Sequence, residues 1–283
     1  MYIYLAGESM SLNSLQSNKP QVQMTKIGVV LSGGGIRGVA HIGFLKFLEE
    51  QGIKPTHFAG ASAGSIVGAL AAAGHSPDKM LEIAKEHKIF SIIKPSWPSL
   101  GLTALDKLPK LLNKYIEVDR IEDLSHPLAV SASSITQAES CIFKSGPLFQ
   151  VVQASCSIPV IFRPVEIEGE LYVDGGLLNN IPAQGIRDDV DVLLGFNLVP
   201  GEPMEKESIS SMFKLAIRTF ELAISSSAKE GADMCDLMLI ADKSEQDAVF
   251  FSNNVEKIYE KGYRTAENHK EEILAVCESE VDA

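Results

Sequence analysis

Hydrophobic positions fall into two kinds of run along this chain, and their order predicts an architecture. Short continuous apolar segments occur at 26–32 (KIGVVLS), 56–61 (THFAGA), 127–135, 191–199 (DVLLGFNLV) and 236–241 (DLMLIA). Runs of this length suit strands buried on both faces of a parallel sheet. Residues 140–144 read as one more strand. Between these lie longer stretches with helical character at 39–50, 65–73, 77–88, 105–116, 148–155, 208–229 and 255–273. Ser76 before Pro77 marks a helix start, and Gly52 a helix stop. The alternation predicts an α/β fold with a mostly parallel sheet, opening on a βαβ crossover. Residues 90–100 are apolar but broken by Pro95 and Pro98. They read as a stretch that covers the core, with a lid over a substrate route as the alternative.

At 283 residues the chain can bury a sizeable core. Residues 25–283 are expected to form one domain, preceded by a flexible leader over 1–24 that lacks the basic and apolar regions of a signal peptide. The formal net charge of −12, with no basic patch, argues against nucleic acid as a partner and against strong attraction to anionic membranes. Cys141, Cys156, Cys235 and Cys277 show no metal-like spacing, so reduced thiols in the cytoplasm are expected.

Two glycine-rich turns follow the first two strands. The second reads Gly60-Ala61-Ser62-Ala63-Gly64, between a strand and an alanine-rich helix. Strand, Gly-x-Ser-x-Gly and helix make the pattern of a nucleophile elbow, a strained turn that holds a serine hydroxyl over a helix N-terminus. Side chains two positions either side of the serine would clash, hence Gly60 and Gly64. The helix dipole favours negative charge at that place. Alternatively, Gly60, Gly64 and Gly68 form a small-residue row for close helix packing, and five residues alone do not separate the two.

The first turn, Gly33-Gly34-Gly35-Ile36-Arg37-Gly38, admits three readings. A dinucleotide site wants an acid at the end of the second strand, where Ala59-Gly60-Ala61 stands. A phosphate loop wants Lys and Ser or Thr after the last glycine, where Val39 and Ala40 stand. The third reading is an oxyanion hole, with the Gly34 and Gly35 N–H groups facing the serine of the adjacent parallel strand. It meets neither objection. Further on, residues 170–176 end in Asp174-Gly175-Gly176, which alone signals a hairpin turn.

In this order and spacing, GGGIRG at 33–38, GASAG at 60–64 and VDGG at 173–176 resemble the patatin-like phospholipase family. The similarity runs from about 26 to 182 and includes the SIPVIFRPV segment ahead of the aspartate. The resemblance implies a three-layer α/β/α fold and a Ser–Asp dyad, with Ser62 as nucleophile and Asp174 as general base. It also implies an oxyanion hole built on Gly33, Gly34 and Gly35, with Arg37 and Gly38 shaping the loop, and chemistry on lipid or acyl esters with no metal or other cofactor. A free aspartate titrates near ~3.9 and is a poor base for a hydroxyl, so the dyad requires a buried carboxyl.

The six histidines test for an ordinary Ser–His–Asp triad. None of His41, His57, His75, His87, His126 and His269 falls in the late loop where an α/β-hydrolase keeps its base, and only His41 lies near the glycine loop. The resulting expectation is a cytoplasmic serine lipid acyl hydrolase that meets a membrane or micelle surface transiently. An acyltransferase or thioesterase through the same acyl-enzyme, or a silent lipid-binding scaffold, are the alternatives.

Overall fold

The structure, a computed structural model, describes residues 25–87, 105–201, 203–241 and 254–278. The expected stretch at 90–100 and the leader lie outside these residues. The first crossover forms as the pattern indicates: β1 (Ile27–Leu31), α1 (Val39–Glu50), β2 (His57–Ala61) and α2 (Ala63–Ala72), with β1 and β2 parallel. Gly52 carries a φ of 76° just beyond α1, as a helix stop requires. Helix α3 (Pro77–His87) follows, with the Ser76 hydroxyl accepting from the Lys79 N–H.

The remaining elements are α4 (Lys107–Leu112), β3 (Leu128–Ser134), β4 (Glu139–Phe143), α5 (Leu148–Ser155), β5 (Val165–Ile167), β6 (Glu170–Asp174), β7 (Val192–Asn197), α6 (Met212–Ser227), α7 (Lys229–Asp233), β8 (Leu237–Ile240), α8 (Val255–Asn268) and α9 (Lys270–Glu278). Three helices differ from expectation. The one expected over 208–229 is α6, which starts only at Met212, where the Ser211 hydroxyl accepts the Lys214 N–H, and α7 follows as a separate helix. Helix α4 stops early because Lys114 and Tyr115 bond three residues back, to Leu111 and Leu112. The single helix expected over 255–273 is two. At His269 the N–H bonds to Ala266 and the ring Nδ1 meets the Thr265 carbonyl, which ends the regular ladder.

One mixed sheet carries all eight strands. Strands β3, β2, β1, β7 and β8 run parallel side by side, while β4, β5 and β6 add antiparallel pairings. Successive residues point to opposite faces. Val29, Leu31, Val130, Leu194 and Phe196 join the main core beneath the helices, while Val30, Ala59, Ala129 and Leu193 join a thinner one with Ile181 and Ile186. Helix α8 closes the structure by packing against α1 at Gly43 and Gly262. A Cβ at either would overlap the other helix's backbone. No described helix is long and apolar enough to cross a membrane.

Strand β3 gathers two distant parts of the chain along one edge. Strand β2 pairs with Leu128–Ser131 of β3, and β6 pairs with Ala132–Ser134. Strand β4 pairs with Val130–Ser134 and occupies the opposite edge along both stretches. Strands β2 and β6 therefore share one edge of β3, head to head. Ala61 sits opposite Ser131 and Asp174 opposite Ala132, one step along.

Candidate active site

The end of β2 becomes the elbow expected from its glycines. Ser62 has φ 50° and ψ −122°, a conformation that is strained for a residue with a side chain. A Cβ on Gly60 would lie 2.5 Å from the Gly64 carbonyl, and one on Gly64 would overlap the Leu31 carbonyl. Only glycine fits at both places. The Ser62 N–H donates to the buried Ser155 hydroxyl at the end of α5, at 2.8 Å.

The head-to-head strands bring Ser62 and Asp174 together. The Ser62 hydroxyl donates to Asp174 Oδ2 at 2.7 Å, across 112 residues of sequence. Asp174 Oδ1 accepts the Gly176 N–H at 2.8 Å, so the carboxylate also caps the short turn Gly175–Leu177. That turn leads away from the sheet. The hairpin signalled at Asp174-Gly175 instead forms between β5 and β6, where Glu168 (φ 52°) and Gly169 (φ 86°) supply the two left-handed residues of its turn. Asp174 is 1% exposed, and burial pushes its pKa up to about 7. The bonds from Ser62 and Gly176 pull it down by less.

The glycine loop stands beside them. The Gly33 N–H donates to Asn180 Oδ1 at 2.8 Å, and the Ser32 hydroxyl donates to the Gly33 carbonyl while accepting the Leu198 N–H. Arg37 Nη1 reaches the Leu198 carbonyl at 2.8 Å and its Nη2 faces Glu221 at 4.0 Å, so Arg37 braces the loop from outside. Gly38 is buried between this loop and α1. Among the described residues, the N–H groups of Gly34 and Gly35 meet no protein acceptor. Gly34, Gly35 and Ser62 line one small cleft, whose other walls are Ile158, Val199, Phe220, Glu221 and Ile224.

The family model for patatin-like phospholipase matches residues 29–186, which hold all three motifs. The chain belongs to the patatin-like phospholipase family. An uncharacterized NTE family protein of Mycobacterium tuberculosis is 31% identical over 178 residues, covering 61% of this chain and 49% of that protein. The lysophospholipase NTE1 of Cryptococcus neoformans is 33% identical over 184 residues, covering 60% of this chain and 11% of that protein. Human patatin-like phospholipase domain-containing protein 6 is 33% identical over 169 residues, covering 57% and 12%. This chain thus spans about half the length of the mycobacterial relative and about a tenth of the other two. Among solved structures, VipD from Legionella pneumophila superposes with a TM-score of 0.52 at 17% identity, covering 88% of this chain and 67% of that one. Human GIVD cytosolic phospholipase A2, in complex with methyl gamma-linolenyl fluorophosphonate, gives 0.52 at 13% identity, covering 92% and 60%. These two likenesses establish the fold.

Within this patatin-like fold His41 is a structural residue. It is fully buried, bonds the Ser32 carbonyl through Nε2 at 2.8 Å and packs edge-on against Phe196. Burial lowers its pKa to about 4, so its ring is neutral, and no bond joins it to Ser62 or Asp174. His75 and His269 are held by backbone carbonyls of Tyr115 and Thr265. Sequence reasoning missed Ser155, Asn180 and the cleft residues of α6. Their partners are remote in the chain, although Asn180 follows the Asp174 motif and Ser155 stands just ahead of the SIPVIFRPV segment.

Proposed function

We propose that this chain is a serine lipid acyl hydrolase in which Ser62 is the nucleophile and Asp174 the general base. The observation that carries it is the 2.7 Å contact between the Ser62 hydroxyl and a buried carboxylate, with Ser62 lining the same cleft as Gly34 and Gly35. As Ser62 Oγ attacks the acyl carbonyl, its proton passes to Asp174. The carbonyl oxygen gains the negative charge, and the N–H groups of Gly34 and Gly35 receive it. Collapse of the tetrahedral species expels the alcohol, which takes the proton back from Asp174. Water, deprotonated by the same carboxylate, then attacks the acyl-enzyme, and Asp174 returns that proton to Ser62 Oγ as the carboxylic acid leaves.

A pKa of about 7 supports this role for Asp174, because a general base works best when its pKa lies near the working pH. Such help is worth roughly 10²–10⁴-fold, and each oxyanion donor roughly 10²–10³-fold. Burying the carboxyl in an apolar setting is what makes an aspartate adequate without a histidine.

The cleft walls favour a lipid acyl group. Helix α6 turns Phe220 and Ile224 into the cleft and leaves Met212, Leu215 and Leu222 exposed on its outer side. Val160, two residues from the cleft-lining Ile158, is 70% exposed. Exposed apolar residues on α6 and at Val160 suit transient contact with an uncharged lipid surface, and the net charge of −12 disfavours an anionic one. Four free cysteines support a reducing compartment such as the cytoplasm.

The test is a lipid-panel hydrolysis assay of wild type against Ser62→Ala. Turnover is expected to fall by roughly 10⁴-fold or more with the fold intact. Retained turnover in the variant would overturn the assignment, and product analysis with alcohol and thiol acceptors would reveal a transferase.

A further inference from the structure

We infer that Asn180 is a positioning residue that registers the glycine loop against the Asp174 turn, an inference that rests on the acyl-hydrolase reading of the site. Asn180 is fully buried and follows the turn Gly175–Leu177 that the Asp174 carboxylate caps. Its backbone is fastened to that turn through one hydroxyl. The Asn180 N–H donates to Ser227 Oγ at 3.2 Å, and Ser227 Oγ donates to the Gly176 carbonyl at 2.7 Å. Its side chain reaches across to the other arm of the site, where Oδ1 accepts the Gly33 N–H at 2.8 Å.

The oxygen is wedged between two glycines. A Cβ on Gly33 would lie 2.7 Å from Asn180 Oδ1 and 3.0 Å from Ser62 Cβ, and one on Gly176 would lie 3.0 Å from the same oxygen. One acceptor atom thus sets how far the glycine loop stands from the carboxylate turn, with Ser62 in contact beside it. It also fixes the rotation of the loop. The Gly33 N–H is turned towards Asn180 and the Gly33 carbonyl is held by Ser32, and the next two residues, Gly34 and Gly35, line the cleft. An acceptor opposite Gly33 is required because its N–H is a donor, which assigns Oδ1 to that side of the amide.

What Asn180 supplies is the position of one oxygen, the acceptor of the Gly33 N–H.

The experiment uses the full chain with a short-chain p-nitrophenyl ester and a fluorophosphonate probe on wild type, Asn180→Ala and Asn180→Asp. In Asn180→Ala, kcat and the rate of Ser62 labelling are expected to fall roughly 10²-fold, as for a misplacement of about 1 Å at a reacting centre. KM should stay within about twofold, because the acyl-binding walls are untouched. The variant leaves the buried Gly33 N–H without its acceptor, so a lower melting temperature is expected, and rates are compared at a temperature where both proteins are fully folded. Asn180→Asp retains an oxygen facing Gly33. It should recover at least about tenfold of the lost kcat where its added carboxyl is protonated, and it keeps the test valid if Asn180→Ala fails to fold. Unchanged kcat in Asn180→Ala, a loss confined to KM, or no recovery in Asn180→Asp at any pH would each overturn the inference. Wild type that neither hydrolyses the ester nor labels at Ser62 would instead sink the acyl-hydrolase reading beneath it.

Discussion

Two side chains buried in the regions beneath the cleft, His41 and Asp174, show burial acting in opposite senses. Under the glycine loop, His41 has only a backbone carbonyl for a partner, and desolvation drives its pKa down to about 4. At the end of β6, Asp174 has a hydroxyl and an N–H, and desolvation drives its pKa up to about 7. Both shifts favour the uncharged form. The difference lies in where they land. His41 is removed from the range in which it could exchange protons near neutrality, whereas Asp174 is brought into it. In the proposed mechanism this dispenses with a catalytic histidine, since the same loss of water that silences His41 brings the carboxylate into the range of a general base.

The largest effect that would break this comparison is chemical. Asp174→Asn keeps the shape and removes the base, so kcat for ester hydrolysis should fall roughly 10²–10⁴-fold with the fold retained. Wild-type kcat should rise with pH through about 7 as Asp174 loses its proton, and a rate flat between pH 5 and 8 would contradict that role.

Next come two stability effects of opposite sign. Between its ordinary pKa of 3.8 and its folded value of about 7, Asp174 holds a proton in the folded protein and not in the unfolded chain, so its contribution to stability falls as pH rises through that window. Asp174→Asn should thus gain on wild type by roughly 4 kcal/mol between pH 4 and pH 8, measured by urea unfolding. His41 works the other way. Its folded pKa lies below its ordinary 6.5, so its contribution is complete above 6.5 and is lost as pH falls towards 4. His41→Leu should gain on wild type by roughly 3 kcal/mol between pH 7 and pH 4. The smallest and sharpest effect is in the double variant. The two slopes oppose one another between about 4 and 6.5, so its stability difference from wild type should change by less than roughly 1 kcal/mol across that window.

The two regions also differ in how much of them the sequence discloses. The elbow and the glycine loop are local objects: Gly60 and Gly64 are demanded by contacts with the residues of their own crossover, and β1, α1 and β2 lie where the apolar runs end. Asp174 is a different case. Nothing near it states that β6 will lie antiparallel along β3, and its own Asp-Gly pair points to a hairpin that forms elsewhere, at Glu168-Gly169. Only its company with the other motifs gave it weight. Asn180 and Ser155 were illegible because each acts through one bond to a residue far away in the chain, Gly33 and Ser62. The break at His269 was hidden for a related reason, since helical spacing continues through a residue that ends the ladder.

The shared edge of β3 has an evolutionary corollary. Because Ala61 and Asp174 occupy successive rungs of one strand, their separation is metered by backbone pitch and is indifferent to how many residues travel between them. Insertions and deletions in the loops of that intervening stretch leave the serine's neighbour in place as long as β3 and the Ser155 end of α5 are kept, whereas adding a single residue within β6 would rotate the carboxylate to the far side of the sheet. Lineages of this fold are thus free to remodel what surrounds the cleft while its central pair stays fixed.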